Sequence, residues 1–341
     1  MTEAVPACYV CGGEGAILHH DLQDHLYGAE GRWTMRRCVR PSCGLLWLDP
    51  RWQTNQLWRA YRTYYTHAAI EAARPGGWSL RTRIGSGRLQ AALGYRGAAA
   101  GPVWHRALAP LAHVWPGGVD EVDITVAFLP APEGAARVLD VGCGEGRLLA
   151  RLQGLGWTGV GHDVDPQAVA VARQRGLDVT EGDLLAQRYP DGSFDAVVLS
   201  HVLEHVHDPG LHLRECFRVM RPGGRLVLLT PNGESWGHRH FGRDWRGLEP
   251  PRHLHIFAPG TIRTLLGREG WHVQDVRTLS QGARTILSLS AAIRWARSTG
   301  RAWTAFPQRQ IKGVAYQLYE RGIALTDANA GEELLAIAVR R

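Results

Sequence analysis

Acidic residues stand at the ends of three short apolar segments of this 341-residue chain. Asp140 precedes the glycine-rich stretch 142–146. Asp163 and Asp183 end the next two segments. An apolar run, a glycine turn and a helix start are the geometry in which a backbone closes on a nucleotide-like ligand, and a carboxylate about twenty residues later can accept both hydroxyls of a ribose. The spacing therefore predicts a nucleotide-type cofactor site, in which Asp183 meets an adenine edge.

The glycine turn carries negative charge, because Asp140 stands before it and Glu145 lies within it. Two carboxylates would repel the pyrophosphate of a dinucleotide, which normally faces a loop of the form G-x-G-x-x-G. They would attract a zwitterion that carries an ammonium and a sulfonium. The turn therefore favours S-adenosylmethionine over NAD as the cofactor.

A first histidine cluster, His201-Val-Leu-Glu-His205, follows the fourth predicted strand, with His207 close behind. If this segment is helical, His201, Glu204 and His205 share one face. They would then form a base with an orienting carboxylate, or ligands for a divalent ion. The alternative is that Glu204 and His205 only cap and pair within a helix.

A second histidine cluster lies in Pro250–Phe257, after the fifth predicted strand. In an extended segment His253 and His255 would point the same way, with Arg252 on the opposite side. We expect His253 to be a substrate-facing base. Further substrate contacts are predicted at Trp245, Arg246, Arg252 and His255. The alternative is a structural loop whose imidazoles bond to nearby carbonyl groups.

Four cysteines form two close pairs, C-x2-C at Cys8 and Cys11 and C-x4-C at Cys38 and Cys43, each followed by glycine. Four thiolates at this spacing predict a closed, structural zinc site. Two disulfides are the alternative, which a cytoplasmic setting disfavours. The remaining cysteines, Cys143 and Cys216, are expected to be packed thiols.

The order of predicted elements divides the chain into three parts. Residues 1–50 form the zinc-knuckle unit and 51–131 a helical linker or cap. In that linker an aromatic stripe that includes Tyr64 and Tyr65 either packs in the core or lines a substrate pocket. Residues 132–341 alternate strand and helix, with a helical insertion at about 282–330. Such alternation predicts an α/β, doubly wound, parallel sheet with its ligand at the carboxyl ends of the strands.

The composition, with 45% hydrophobic and 21% charged residues, is that of a globular protein. No apolar run approaches the length of a membrane span, and the first ten residues lack the order of a signal peptide. We therefore expect a soluble, cytoplasmic protein without a membrane partner. The net charge of +7 is compatible with phosphate or carboxylate ligands or with an arginine-rich surface.

The ordered motifs resemble those of class I S-adenosylmethionine-dependent methyltransferases, in the small-molecule branch that includes ubiquinone-pathway O-methyltransferases. The motifs are Val138–Gly146, Gly161–Asp163, Gly182–Asp183, Phe194–Asp195, His201–His205 and Arg221–Gly224. The resemblance covers about 135–280 and the last strand. It implies a Rossmann-like, seven-stranded, mostly parallel sheet. The cysteine pairs resemble, more loosely, zinc-knuckle methyltransferases of sugar-nucleotide, polysaccharide and natural-product tailoring.

The resemblance also implies roles for individual residues. The methionine and ribose portions of the cofactor would lie on Asp140, Gly142, Cys143, Gly144, Asp163 and Val164. The adenine would lie on Asp183 and Leu184, and Ser200 and His201 would lie near the sulfonium. The acceptor would be a small molecule, methylated on oxygen, carbon or nitrogen. An RNA methyltransferase is the main alternative and a non-catalytic scaffold a further one; the sequence specifies no oligomeric state.

Overall fold

The computed structural model describes residues 1–61, 79–114, 117–300 and 306–341. The predicted aromatic positions Tyr64 and Tyr65 lie outside these residues. Strands are β1 Thr2–Glu3, β2 Gly15–Leu22, β3 Trp33–Cys38, β4 Leu46–Leu48, β5 Arg51–Trp52, β6 Arg137–Val141, β7 Thr158–Asp163, β8 Asp178–Glu181, β9 Phe194–Ser200, β10 Met220–Pro231, β11 His255–Ile256, β12 His272–Leu279 and β13 Glu333–Val339.

The α-helices of the described residues are α1 Leu80–Ala92, α2 Gly118–Asp123, α3 Arg147–Gly154, α4 Pro166–Gln174, α5 Leu184–Gln187, α6 Pro209–Val219, α7 Trp236–Phe241, α8 Pro259–Arg268, α9 Ala283–Thr299 and α10 Phe306–Ala324. Short 3-10 helices include Thr54–Tyr61, Val103–His113 and Leu203–His205. Helices α9 and α10 fall in the predicted helical insertion. None of the described helices combines the length and apolarity needed to span a membrane.

Seven strands form one mostly parallel sheet in the order β12-β13-β10-β9-β6-β7-β8. The pairs β6–β7, β6–β9 and β7–β8 are parallel. The predicted Rossmann-like, seven-stranded sheet is therefore confirmed. The chain runs outward from β6 to β8 and then returns to the other side of β6, so the topological switch point lies between β6 and β9.

Two sheet features are not apparent from the local sequence. Arg221-Pro-Gly-Gly224 has residues typical of a turn, but β10 already begins at Met220. In this stretch Gly223 donates to the Arg340 carbonyl and Arg340 donates to Gly224, so backbone pairing extends the strand. The second feature is β11, which pairs antiparallel with β4 and completes a four-stranded sheet of order β11-β4-β3-β2.

The chain comprises two compact units, and β10 contributes to both. The first unit is 1–65, 201–213 and 228–338, and the second is 66–200, 214–227 and 339–341. In the first unit strands β3 and β4 share one hydrophobic core with residues 241–256 and α9; its members include Met35, Leu48, Trp245, Ile256 and Leu287. The division of the chain into three parts, with boundaries at residues 50 and 131, stays a prediction.

Candidate functional site

The glycine turn of the second unit connects β6 to α3 through three glycines in the left-handed region. Gly142, Gly144 and Gly146 have φ values of +67°, +54° and +75°. At Gly146 a Cβ atom would lie 2.2 Å from Cδ1 of Leu177, so only glycine fits there. The amides of Gly142 and Cys143 both donate to the His162 carbonyl, at 2.9 and 3.0 Å, which anchors the turn to the end of β7.

Asp163, the last residue of β7, is hydrogen-bonded to the same turn. Its Oδ2 accepts from the Gly144 amide at 2.8 Å, and its Oδ1 accepts from the Asp165 amide at 2.9 Å. Each oxygen keeps a lone pair, because an ionised carboxylate has about four acceptor positions. Asp163 can therefore hold the turn and still accept hydroxyl groups from a ligand.

Asp140 is the second carboxylate of the turn and is 3% exposed. Burial, reinforced by the negative charge of Asp163, raises its pKa to about 7. Within the described ranges no group donates a hydrogen bond to its side chain and no cation pairs with it. A buried carboxylate without a donor costs free energy, so Asp140 is suited to receive an ammonium.

Glu145 does not add to this negative site, contrary to the sequence interpretation. Its carboxylate lies 3.0 Å from the guanidinium of Arg175, which also donates to the Glu145 carbonyl at 2.8 Å. Arg147 lies 4.0 Å away. These cations neutralise the Glu145 charge, so the uncompensated charge of the turn belongs to Asp140 and Asp163.

The other predicted cofactor residues of this unit follow the neighbouring strands. Asp183 caps α5 by accepting from the Leu185 amide at 2.9 Å. Leu184 is buried, Ser200 at the end of β9 is half-buried, and Val164 is 67% exposed. Asp140, Asp163, Asp183 and Ser200 therefore all lie at or just beyond the carboxyl ends of parallel strands, as the fold predicts for a ligand site.

The four cysteines of the first unit converge on one point. Their sulfur atoms lie within 4.8 Å of one another, with Cys8 Sγ 3.6 Å from Cys43 Sγ and Cys11 Sγ 3.4 Å from Cys38 Sγ. Sulfurs of a tetrahedral zinc site with Zn–S bonds of about 2.3 Å are about 3.8 Å apart, whereas a disulfide needs about 2.05 Å. All four cysteines are free of disulfides, and their convergence is a set that could hold a metal ion.

His201 does not lie on the predicted helical face. It precedes the 3-10 helix Leu203–His205, and its own backbone φ is +56°. Its Nδ1 lies 3.2 Å from Oε1 of Glu204, and its Nε2 lies 2.9 Å from Oε1 of Glu333. Desolvation alone would lower the pKa of His201, but the two carboxylates outweigh it and raise the pKa well above its usual value. His201 is therefore an imidazolium that bridges two carboxylates.

Glu333 was missed by the sequence reasoning. It opens the apolar strand β13 and is largely buried. Its Oε2 accepts from the Gly282 amide at 3.2 Å. A charged residue at the start of an otherwise apolar strand was the signal that could have identified it.

Arg252 is 1% exposed and its guanidinium has several partners. It donates to Glu249 at 2.9 Å, to Asp24 at 2.6 Å and to the Ala60 carbonyl at 2.8 Å. Arg246 also pairs with Glu249. Asp24 and Glu249 were missed by the sequence reasoning. Asp24 lies 228 residues from Arg252 along the chain, so no local sequence pattern connects the two.

His253, His255 and Trp245 are also buried. His253 Nδ1 donates to the Gly247 carbonyl at 2.7 Å, and burial lowers its pKa to about 4. Burial lowers the pKa of His255 to about 3. Trp245 Nε1 donates to Glu332 at 2.6 Å. The segment turns at Arg252 instead of being extended throughout, and all three side chains are buried, so the expected split of Arg252 from the two histidines stays a prediction. This arrangement gives no support to their predicted substrate roles, which stay predictions.

His205 lies in the 3-10 helix Leu203–His205 and is half-buried. Its Nδ1 lies 3.1 Å from the Arg252 carbonyl oxygen and 3.0 Å from the Tyr61 hydroxyl. One ligand atom each of Glu204, His205 and His253 lie within 4.8 Å of one another, a set that could also hold a divalent cation.

The region that contains the acidic glycine turn is similar to known methyltransferases. Residues 119–276 match the family described as "Methyltransferase domain". The chain is 44% identical over 104 residues to a protein named "Ubiquinone biosynthesis O-methyltransferase" from Xanthomonas oryzae pv. oryzae, which covers 28% of this chain and 44% of that protein. It is 35% identical over 148 residues to a "Probable S-adenosylmethionine-dependent methyltransferase" from Mycolicibacterium smegmatis, covering 43% of this chain and 56% of the relative.

The chain thus spans about half the length of these curated relatives. Among solved structures, an S-adenosylmethionine-dependent methyltransferase from Mesorhizobium loti is 22% identical, with a TM-score of 0.45, over 64% of this chain and 97% of that chain. The strand order is that of the Rossmann-like methyltransferase fold. Residues 119–276 of this chain are thus similar to a methyltransferase domain, and the named relatives include S-adenosylmethionine-dependent enzymes.

Proposed function

We propose that this chain is an enzyme that transfers the methyl group of S-adenosylmethionine to a small-molecule acceptor. The observation that carries the proposal is the pair Asp140 and Asp163, which have no cationic partner among the described residues. S-adenosylmethionine supplies a reactive methyl group on a sulfonium and brings an ammonium as a second positive charge. The acidic turn offers complementary charge to this zwitterion.

Individual residues of the second unit would bind separate parts of the cofactor. Asp140 would receive the ammonium, and the lone pairs left on Asp163 would accept the ribose hydroxyls. Asp183 and Leu184 would contact the adenine, with the open turn at Gly144 giving the ligand access to the backbone. The contacts predicted for Cys143, Val164, Ser200 and His201 stay predictions.

The acceptor is proposed to belong to sugar-nucleotide, polysaccharide or secondary-metabolite biosynthesis. The name of the Xanthomonas relative, an O-methyltransferase of ubiquinone biosynthesis, supports a small organic acceptor. Most of the acceleration of a methyl displacement can come from positioning, and a base is required only when the acceptor is poorly ionised.

Two measurements test the proposal. Isothermal titration calorimetry should show one S-adenosylmethionine bound per chain, and transfer of a radiolabelled methyl group should be followed into a small-molecule fraction and into RNA. Label in the small-molecule fraction supports the proposal. Label in RNA with salt-sensitive binding would replace it by the RNA methyltransferase alternative. The absence of any cofactor binding would leave only the scaffold alternative.

A structural zinc ion on Cys8, Cys11, Cys38 and Cys43 is the second part of the proposal. The sulfur distances support it, and all four ligand positions would be filled by thiolate, which leaves no open position for a substrate. The ion would connect the two cysteine pairs to β3, because Cys38 ends this strand. The backbone amide of Cys38 donates to the Leu45 carbonyl at 2.9 Å.

Metal analysis of the purified protein should find one zinc per chain, and Cys38→Ser should lose it. Removal of the zinc should lower the melting temperature, since binding energy in such sites contributes directly to folding. Cys216→Ser is the matched control, because Cys216 is a buried thiol outside the cluster. A protein that contains no zinc when purified without chelators, or a Cys38→Ser variant that retains it, would contradict the assignment.

A further inference from the structure

One stretch of the second unit carries positive charge without any acidic residue of its own. Residues 79–114 include helix α1 and the 3-10 helix Val103–His113, and they contain five arginines but neither aspartate nor glutamate. These arginines are Arg81, Arg83, Arg88, Arg96 and Arg106. The whole chain has 39 basic and 32 acidic residues, so this stretch departs from the local balance of charge elsewhere. A one-sided charge of this kind favours an anionic partner.

One side of the 3-10 helix is fixed against α1. His105 Nδ1 lies 2.9 Å from Oγ of Ser86. A Cβ atom at Gly87 would lie 2.1 Å from the His105 carbonyl oxygen, so the glycine allows the two helices to touch. His105, Ala109 and Ala112 are buried on this side. The two helices therefore form one packed layer, and the other side of the 3-10 helix is left to solvent.

Large apolar side chains are exposed along the 3-10 helix and at the residue that follows it. Val103 is 80% exposed, Trp104 56%, Leu111 40% and Val114 73%. Single exposed apolar residues are common on soluble proteins, but a concentration within one short helix indicates an interaction site. We call Val103, Trp104, Arg106, Leu111 and Val114 the tryptophan surface.

Arginines accompany these apolar side chains. The Arg83 guanidinium of α1 lies over the Trp104 ring, with Cζ 5.5 Å from the ring centroid. Arg106 is exposed on the 3-10 helix itself. Two other arginines of α1 pair with acidic residues of α2, whereas Arg96 and Arg106 have no acidic partner in the part of the chain that the structure describes. The tryptophan surface thus combines apolar exposure with positive charge.

The combination distinguishes between the kinds of partner that an exposed basic surface can have. In a symmetric dimer each subunit contributes the same patch, so a second copy would bring arginines against arginines. RNA would offer phosphates to the arginines and a base to Trp104, but it would leave the aliphatic side chains of Val103 and Val114 in water. An anionic lipid surface satisfies both properties, because the headgroups attract arginine and the boundary of the acyl chains receives tryptophan and aliphatic side chains.

We propose that the tryptophan surface binds the face of a membrane that contains anionic phospholipids. Trp104 and its apolar neighbours enter the boundary between headgroups and acyl chains, and Arg106 contacts the lipid phosphates. This mode of binding is peripheral and requires no spanning helix, in keeping with the described helices. It concerns residues of the second unit alone and does not depend on the proposed methyl transfer.

Cosedimentation of the full chain with lipid vesicles tests the proposal. Wild type should bind vesicles of phosphatidylcholine mixed with phosphatidylglycerol more tightly than vesicles of phosphatidylcholine alone, and added sodium chloride should weaken the binding. Trp104→Ala should weaken it by about tenfold, and Arg106→Gln by about fivefold. Trp58→Ala is the matched control, because Trp58 of the first unit is 58% exposed, and it should bind like wild type. Exposed side chains contribute little to folding, so all three variants should keep the wild-type melting temperature.

Several results would overturn the proposal. Wild type that stays in solution with both kinds of vesicle, or that binds them equally well, has no preference for anionic lipid. Equal binding of the mixed vesicles by wild type and Trp104→Ala would place the contact elsewhere. Without vesicle binding, a single-stranded RNA bound by wild type but not by Trp104→Ala would make the surface a nucleic-acid site. A dimer in analytical ultracentrifugation that Trp104→Ala abolishes would make it a self-association surface instead.

Discussion

The acidic glycine turn of the second unit and the two histidine clusters of the first unit both have buried carboxylates nearby, but the partners of these carboxylates differ. Around the histidine clusters, Glu204 and Glu333 both pair with the His201 imidazolium, and Glu249 pairs with arginines. In the glycine turn the buried Asp140 has no donor and no cation among the described residues. A matched carboxylate stabilises the fold, whereas an unmatched one is complementary to a ligand.

Glu320 and Glu332 mark the limit of this comparison. Both are buried acids of the first unit, and burial raises their pKa values to about 9 and about 7. Glu332 nevertheless accepts from the Gly237 amide at 2.7 Å and from Trp245 at 2.6 Å. These two uncharged donors satisfy the carboxyl group of Glu332 without a ligand. The distinguishing feature of Asp140 is therefore the lack of a donor together with its position beside the glycine turn.

The largest expected effect is on stability, at the matched carboxylates. Arg252→Met leaves Asp24 and part of Glu249 buried without their cation, so the free energy of unfolding should fall by about 3–5 kcal/mol. Urea denaturation measures the change. Arg239→Met is the control, because its ion pair with Asp327 is exposed and should contribute less than about 1 kcal/mol. Equal losses in the two variants would break the distinction between matched buried pairs and surface pairs.

The next effect is on binding, at the unmatched carboxylates. Asp163→Ala should weaken S-adenosylmethionine binding by roughly 100-fold, about 2.7 kcal/mol, because hydrogen bonds to a charged group are worth roughly 1.5–3 kcal/mol. Calorimetry measures the affinity. Asp178→Ala, at an exposed position at the start of β8, should bind like wild type. An affinity of Asp163→Ala within a factor of two of wild type would make the ribose assignment wrong.

The pH dependence of binding sharpens the comparison at Asp140. Its pKa is about 7 before a ligand binds, so its carboxyl group is mostly protonated at pH 6 and must lose the proton to pair with an ammonium. The affinity should therefore rise with pH up to about 7, by up to about tenfold per pH unit, equivalent to about 1.4 kcal/mol. Titrations between about pH 5.5 and 7 measure this slope. Asp140→Asn should show weak binding without the slope, and a pH-independent wild type would argue against the ammonium role.

The smallest effect, over the first pH unit above the ordinary pKa, is expected at Glu320. Its folded pKa of about 9 lies above its ordinary value of 4.5, so the fold retains a proton that the unfolded chain releases between these pH values. The wild type should therefore lose stability as pH rises through this window, and Glu320→Gln should remove the loss. The variant should match wild type near pH 4 and exceed it by about 1 kcal/mol near pH 5.5. A constant difference at all pH values would show that Glu320 does not titrate as described.

Local features were the ones that could be predicted from the sequence. The glycine turn, the acidic strand ends and β9, at Phe194–Ser200, are encoded in short apolar runs and their neighbours. The seven-stranded sheet followed from the alternation of such segments. The two close cysteine pairs likewise predicted the cluster, because each pair is followed directly by a glycine that permits a tight turn.

Long-range pairing was not predictable in the same way. Strand β11 has two residues, too few for a periodic pattern, and pairs with β4 across about 200 residues of chain. The burial of Arg252 depends on Asp24, which no local pattern connects to it. The left-handed conformation of His201, at φ +56°, also replaced the expected helical face by a bridge between carboxylates.

The crystal structure of the protein with S-adenosylhomocysteine tests the central claim most directly. The product keeps the ammonium, the ribose and the adenine of the cofactor. The account predicts its ammonium on the Asp140 carboxylate and both ribose hydroxyls on Asp163, beside the glycine turn. A ligand bound elsewhere, or one whose ammonium avoids Asp140, would contradict it.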